Sequence, residues 1–161
     1  MQNLISSTTG LVHLISALLA LVFGTAVLFM KKGTSVHKKA GYLYLIAMLV
    51  MNATAFGIYR LFGGFGIFHY AALLSMFSLI GGMYPAYRRR SGWHLQHLEV
   101  MLWSVVGLYA AFAAEISVRF FSSTYFFWVV GLSGGIISTL GYYYIRNQKR
   151  KYKHQKTTNN F

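Results

Sequence analysis

Residues 10–30, GLVHLISALLALVFGTAVLFM, decide the fold class of this chain. The run is apolar except for His13 and two small hydroxyl residues. At about 1.5 Å per residue, a helix of this length spans the roughly 30 Å hydrocarbon core of a bilayer. The run therefore predicts a transmembrane helix.

Further apolar runs of similar length follow it along the chain. We predict five transmembrane helices in all, at about 10–30, 41–62, 65–87, 98–117 and 125–145. The 161 residues are 56% hydrophobic and 11% charged, whereas a soluble globule is about a quarter charged. Too few polar residues remain to cover five apolar helices in water. The predicted fold is all-α, an integral membrane bundle over residues 1–145, with a disordered basic tail over residues 146–161.

The basic residues predict the orientation of this bundle. The chain has 15 Lys and Arg against 2 Asp and Glu, a net charge of +13. All but Arg60 and Arg119 fall on one side of the predicted bundle, namely Lys31, Lys32, Lys38, Lys39, Arg88, Arg89, Arg90, Arg146, Lys149, Arg150, Lys151, Lys153 and Lys156. The positive-inside rule then places the N-terminus outside and the tail in the cytoplasm, in a cytoplasmic (inner) membrane.

Composition also narrows the partners and the chemistry. The basic loops are expected to contact anionic lipid headgroups. Nucleic acid is not an expected partner, because no aromatic residues alternate with charge in a soluble platform. The absence of Cys excludes disulfides, iron–sulfur clusters, thiolate zinc sites and c-type haem attachment. The N-terminus lacks a basic region, so the first helix is expected to remain as an anchor.

Ionisable and polar residues at membrane depth are the candidates for function, because each is costly there unless it is paired or used. His13, His69 and Glu115 are predicted to lie at one level, about 27 Å from the inner surface. Arg119 lies one turn beyond Glu115 on the same helix. Asn52, at the middle of the second helix, and Arg119 are expected to act as structural polar residues.

A second group of His residues lies at the opposite membrane surface. His37 precedes the predicted second helix, and His94 and His97 stand where the fourth begins. His residues that alternate between two levels resemble those of two-haem membrane cytochromes of the b type. In that interpretation His13 with His69 holds an outer haem b, and His37 with His97 holds an inner one, for membrane electron transfer.

Two other interpretations stay open. In the first, the chain is a metal-dependent membrane hydrolase whose zinc is held by His13, His69 and Glu115, with one open position for water. In the second, it is a non-enzymatic accessory or transport protein whose polar residues serve packing. Five helices are few for a carrier built of two repeats, so a transporter would require a homo-oligomer.

A family resemblance rests on Gly33-Thr34, on His37-Lys38-Lys39-Ala40-Gly41 with Met48, and on His97-Leu98-Glu99-Val100-Met101 with Arg119. These stretches resemble the bacterial membrane proteins grouped as domain of unknown function 2306, over about residues 10–145. The resemblance implies a small helical membrane protein. It also implies a His in the first helix, a His-basic-basic-x-Gly segment and a His-x-x-x-Met helix start, which His13, His37 and His97 match. It leaves the reaction open.

Overall fold

A computed structural model of the chain describes residues 7–58, 63–120 and 123–158. Its helices are α1 Thr8–Phe29, α2 Ser35–Ala55, α3 Ile67–Arg88, α4 Trp93–Phe120 and α5 Phe126–Thr158, with a short 3-10 turn at Ser123–Tyr125. These described residues contain no strand. The predicted all-α, five-helix class is confirmed.

Four of the described helices are long and apolar enough to cross a membrane. They are Thr8–Phe29, Ile67–Arg88, Trp93–Ser117 and Phe126–His154. α2 does not reach that composition, because its first turns carry Lys38 and Lys39. Large apolar side chains on these helices are exposed, including Val22, Leu74, Phe77, Trp128 and Leu132. An exposed apolar surface of this kind is suited to contact with lipid acyl chains.

The chain divides into two compact units, Met1–Phe77 and Ser78–Phe161. In the first unit α1 packs against α2. The buried positions of α1 are all small, namely Gly10, Ser16, Ala17, Ala20 and Gly24. α2 supplies larger buried side chains, Tyr44 and Met48 among them. Small residues let two membrane helices approach closely, so that dispersion contacts replace the hydrophobic effect that lipid does not provide.

In the second unit α4 and α5 pack side by side and run antiparallel. Val106 of α4 faces Gly141 of α5, where an added Cβ would lie 2.5 Å from Val106 Cγ2. Nearer the start of α4, Glu99 pairs with Lys149 of α5 at 2.7 Å. The contacts move toward the start of α4 as they move toward the end of α5, which fixes the register of the pair.

The position of α2 differs from the sequence prediction of 41–62. Thr34 caps its N-terminus by accepting a hydrogen bond from the backbone N–H of His37 at 3.2 Å. The helix therefore starts at Ser35, so His37 lies inside its first turn and does not precede it. The helix stops at Ala55, just before Gly57. Residues 59–62, which include Arg60, lie outside the described residues.

α4 and α5 are both longer than predicted. α4 starts at Trp93, five residues before the predicted boundary, because Gly92 adopts φ 78° and reverses the chain directly before it. α5 does not end at residue 145 but continues to Thr158. Residues 146–158, predicted as a disordered tail, are helical in this structure, and Lys149 of this segment packs on α4. The last three residues lie outside the described residues.

Candidate functional site

His13 joins α1 to the end of α2. Its Nδ1 lies 3.0 Å from the carbonyl oxygen of Met51 and 3.1 Å from Oγ1 of Thr54. Because a carbonyl oxygen only accepts, Nδ1 carries the proton and donates it. Thr54 already donates its own hydroxyl proton to α2 carbonyls at 2.8 and 2.9 Å. The neutral His13 ring therefore has its lone pair on Nε2.

Asn52 directly follows Met51 on α2 and is buried, with 1% of its surface exposed. Its Nδ2 donates to Oγ of Ser75 on α3 at 3.1 Å. The amide thus bonds a neighbouring helix, as a polar side chain at membrane depth is expected to do. This contact fits the structural role that the sequence predicts for Asn52.

His69, in the first turn of α3, has the opposite hydrogen-bond pattern from His13. Its side chain is 4% exposed, and its Nδ1 accepts the backbone N–H of Gly66 at 3.0 Å. The proton of the neutral ring is therefore on Nε2, which is buried. Phe65 stacks on the ring with a centroid distance of 4.6 Å. In this tautomer Nε2 has no lone pair for a metal or haem iron.

His97, in α4, bonds across to α3 in the second unit. Its Nδ1 lies 2.8 Å from the carbonyl oxygen of Gly82 and donates to it. One turn later on α4, Met101 fills the space above the same glycine, since a Cβ on Gly82 would lie 2.5 Å from Met101 Sδ. The His-x-x-x-Met helix start thus docks on a single glycine. The Nε2 atom of neutral His97 carries the lone pair.

Gly82 lies one turn before Pro85 on α3. A proline within a helix lacks the N–H that would bond the carbonyl four residues earlier, and its ring pushes that turn apart. For Pro85 that carbonyl belongs to Gly81, the residue before Gly82. The sequence signal for the His97 contact is therefore Gly82 itself, which lets α4 approach α3 closely.

An aromatic and ionic cluster surrounds the start of α4. The Trp93 and His94 rings stack at 3.6 Å between centroids, and His94 lies 6.4 Å from the ring of Tyr152 on α5. Glu99 accepts from Lys149 Nζ at 2.7 Å. The sequence pattern does not predict this ion pair, because the pair depends on the helical continuation of α5, which composition alone does not reveal.

The remaining predicted site residues are distributed over both units. His37 lies half-buried in the first turn of α2, and Glu115 lies half-buried on α4. Arg119 belongs to α4, and its side chain lies outside the described residues. Among the described side chains no group of three or more His, Asp or Glu could hold a metal ion. Glu115 and His97 belong to the second unit, so the zinc site and the inner haem pair stay predictions.

The described contacts of His13, Asn52 and His97 are hydrogen bonds between helices. An imidazole in each unit donates its Nδ1 proton to a backbone carbonyl of the adjacent helix, namely His13 in the first unit and His97 in the second. The family model described as a predicted membrane protein (DUF2306) matches residues 10–146.

The chain belongs to this family. The match covers most of the chain and includes His13, His37 and His97, which confirms the resemblance read from the sequence. Membership and the four apolar helices together establish a membrane protein. No curated protein and no solved structure matches the chain. The family description carries no activity, so function must be argued from the residues.

Proposed function

We propose that this DUF2306 protein is a haem-binding membrane electron carrier in which His13 is an axial ligand of an outer haem and His97 is an axial ligand of a separate, inner haem. One observation carries the proposal: each ring donates Nδ1–H to a backbone carbonyl of a neighbouring helix, at 3.0 and 2.8 Å. This is the bond that orients metal-ligating imidazoles in proteins and raises their basicity. It leaves Nε2 as the lone-pair nitrogen, the state in which histidine binds haem iron.

The tautomer of each ring distinguishes among the four His residues that are predicted from the sequence as haem ligands. His13 and His97 hold the ligating tautomer. His69 holds the other one, because Nδ1 accepts from Gly66. His69 would have to give up that hydrogen bond and move its proton before it could bind iron. We therefore place His13 and His97 ahead of His69 and of His37.

The absorption spectrum tests the proposal. Protein purified from haem-replete cells should show a sharp Soret band that is diminished in His13→Ala and in His97→Ala. His154→Ala, at an exposed position near the end of α5, is the matched control and should leave the band unchanged. Elution volume and melting temperature of each variant separate loss of ligand from loss of fold. A colourless protein that takes up no added haem overturns the proposal.

A second candidate is the non-enzymatic accessory protein. Its support is that the polar groups already have partners within the protein: Asn52 bonds Ser75, and Glu99 pairs with Lys149. In this case the only role of His13 and His97 is to hydrogen-bond neighbouring helices together. The absorption spectrum distinguishes the two candidates. If His13 and His97 only stabilise helix packing, the wild type gives no Soret band, and removal of either side chain lowers the melting temperature. Stoichiometric zinc, lost in Glu115→Gln, would instead favour the hydrolase.

We also propose an orientation for the protein in the cytoplasmic membrane. Three basic segments face the cytoplasm: the connection between α1 and α2, the segment Arg88–Arg90 and the end of α5. The excess of Lys and Arg in these segments supports it. Accessibility labelling of single Cys residues tests it. The chain has no native Cys, so Ser91→Cys should label from the cytoplasmic side only.

A further inference from the structure

The end of α5 is a packed helix that carries a row of cations. Ile145, Lys149 and Tyr152 form one helical stripe, at spacings of four and three residues, that is buried or half-buried. Lys149 reaches Glu99, and Tyr152 lies near His94, so this stripe faces α4. The extension is therefore a preformed element of the second unit.

The other faces of this extension are exposed and basic. Arg146, Arg150, Lys151 and Lys153 are all exposed. Arg146 and Arg150 lie one turn apart on one face, and Lys153 follows them at the next turn. Because the helix is fixed on α4, these side chains are presented at set spacings rather than on a disordered chain.

A second group of cations lies at the same end of this unit. Arg88, Arg89 and Arg90 are exposed and stand directly before α4. The antiparallel register of α4 and α5 places the start of α4 level with the last turns of α5, since His94 meets Tyr152. The acidic residue described among these groups, Glu99, is engaged by Lys149. This end of the unit therefore carries a large excess of positive charge.

The depth of these cations indicates their partner. Residues 146–158 of α5 rise about 18 Å at 1.5 Å per residue. The polar headgroup region is about 5–8 Å thick on each side of the hydrocarbon core. Arg146, Arg150 and Lys151 directly follow the apolar part of α5, so they stand within the headgroup region. Trp93, at the start of α4, is an aromatic residue of the kind that marks this interface.

We infer that the exposed cations of α5, together with Arg88–Arg90, form a binding surface for the phosphates of anionic phospholipids in the adjacent leaflet. The surface is independent of the haem proposal, because it uses neither His13 nor His97. Guanidinium groups bind phosphate oxygens through paired N–H donors, and each basic residue near an anionic membrane adds to the attraction. The bilayer supplies this ligand at high local concentration beside α5.

Quenching of Trp93 fluorescence tests the surface directly. Trp103→Phe and Trp128→Phe leave Trp93 as the reporter in the full-length chain. The protein is reconstituted in bilayers that contain dibrominated phosphatidylglycerol or dibrominated phosphatidylcholine, at 0.15 M salt. We expect the anionic lipid to associate near Trp93 about tenfold or more strongly than the zwitterionic one. The triple variant Arg146→Gln, Arg150→Gln, Lys151→Gln should bring this ratio close to one.

Two further variants separate geometry from net charge. Arg146→Lys, Arg150→Lys, Lys151→Arg keeps every charge and should retain most of the preference. Tyr152→Ala keeps every cation but removes the ring near His94, and it should reduce the preference severalfold because the extension is less firmly held. An unchanged preference in the triple glutamine variant overturns the inference.

Competitors identify the source of the bound phosphate. Inorganic phosphate at 10 mM and a short DNA duplex at 1 µM should leave the quenching by phosphatidylglycerol unchanged. Reversal of quenching by inorganic phosphate would mean a site for free phosphate, and reversal by the duplex would mean a nucleic-acid surface. Either result replaces the lipid as the partner. Elution volume of each variant shows that the fold is retained.

Discussion

Nδ1 of His97 lies 2.8 Å from the carbonyl oxygen of Gly82 and donates its proton to it. The bond joins α4 to α3 where Gly82 has no side chain, and Met101 packs against the same residue. The contact therefore explains two sequence features together: the glycine and the His-x-x-x-Met stretch of α4.

Substitution His97→Ala should lower the free energy of unfolding by about 0.5–1.5 kcal/mol, the usual net contribution of one hydrogen bond. Unfolding by SDS in mixed micelles measures it. Gln96→Ala is the matched control, because Gln96 is the preceding residue of α4 and is exposed. Equal stability of the two variants would contradict a role for the His97–Gly82 bond.

Substitution Gly141→Ala should destabilise the second unit by about 1–3 kcal/mol, the range for overpacking. The new Cβ would lie 2.5 and 2.6 Å from the two γ carbons of Val106, a stiff β-branched side chain. The double variant with Val106→Ala should recover most of the loss.

Two other glycines serve as controls for Gly141. Gly135→Ala should cause no loss, since nothing lies within 4 Å of its added Cβ. Gly82→Ala should cost less than Gly141→Ala, because flexible Met101 can move away. Equal melting temperatures of all three variants in detergent would mean that α5 does not approach α4 as described.

Substitution Asn52→Ala should cost about 1 kcal/mol, because it removes the hydrogen bond to Ser75. A double-mutant cycle with Ser75→Ala should give a coupling energy of about 0.6 kcal/mol, the average for polar pairs between membrane helices. Asn147→Ala, at an exposed position of α5, is the control and should be neutral. Strict additivity of Asn52→Ala and Ser75→Ala would show that the pair does not interact.

Lys32 gives a prediction for pH dependence. Its ammonium group folds back on α1, donating to the carbonyls of Val27 and Leu28, and this burial lowers the pKa of Lys32. A lowered folded pKa means that the unfolded state holds its proton to higher pH, so stability rises as pH increases through the folded pKa. From pH 7 toward the ordinary lysine pKa of about 10.4, the wild type should therefore gain melting temperature relative to Lys32→Met.

The reference for this measurement is Lys39→Met, a substitution at an exposed lysine of α2. The gain of the wild type over Lys32→Met should exceed its gain over Lys39→Met. A difference between wild type and Lys32→Met that stays constant from pH 7 to pH 10 would show that Lys32 is fully hydrated in the folded protein.

Helix boundaries show where sequence reasoning reached its limit. Hydropathy located the apolar centres of all five helices, but α2 was placed about six residues too late. The run 41–62 is apolar beyond Gly57, so composition gave no reason to stop there, and the Thr34 cap outweighed the charges of Lys38 and Lys39. Similarly, the polar end of α5 looked like a tail. Its helix persists because one stripe packs on α4.

The candidate site was predictable in its members and not in its contacts. His13 and Asn52 were identified because polar side chains at membrane depth are costly, and His97 because it belongs to a second group of His residues at the opposite membrane surface. Their hydrogen-bond partners are Met51, Ser75 and Gly82, and two of these three contacts use backbone carbonyls, which no side-chain pattern reveals. The tautomer of His69 likewise depends on the Gly66 N–H and could only be assigned from the structure.

The class of this protein follows from its amino-acid sequence. Helices of about twenty apolar residues satisfy their own backbone bonds and match the bilayer, so local composition is sufficient to predict a helical membrane protein. The sequence does not indicate which imidazole nitrogen carries a proton, which glycine His97 contacts or how the end of α5 is held. Those outcomes depend on which groups from distant parts of the chain come within hydrogen-bonding distance, and a local pattern contains no information about that.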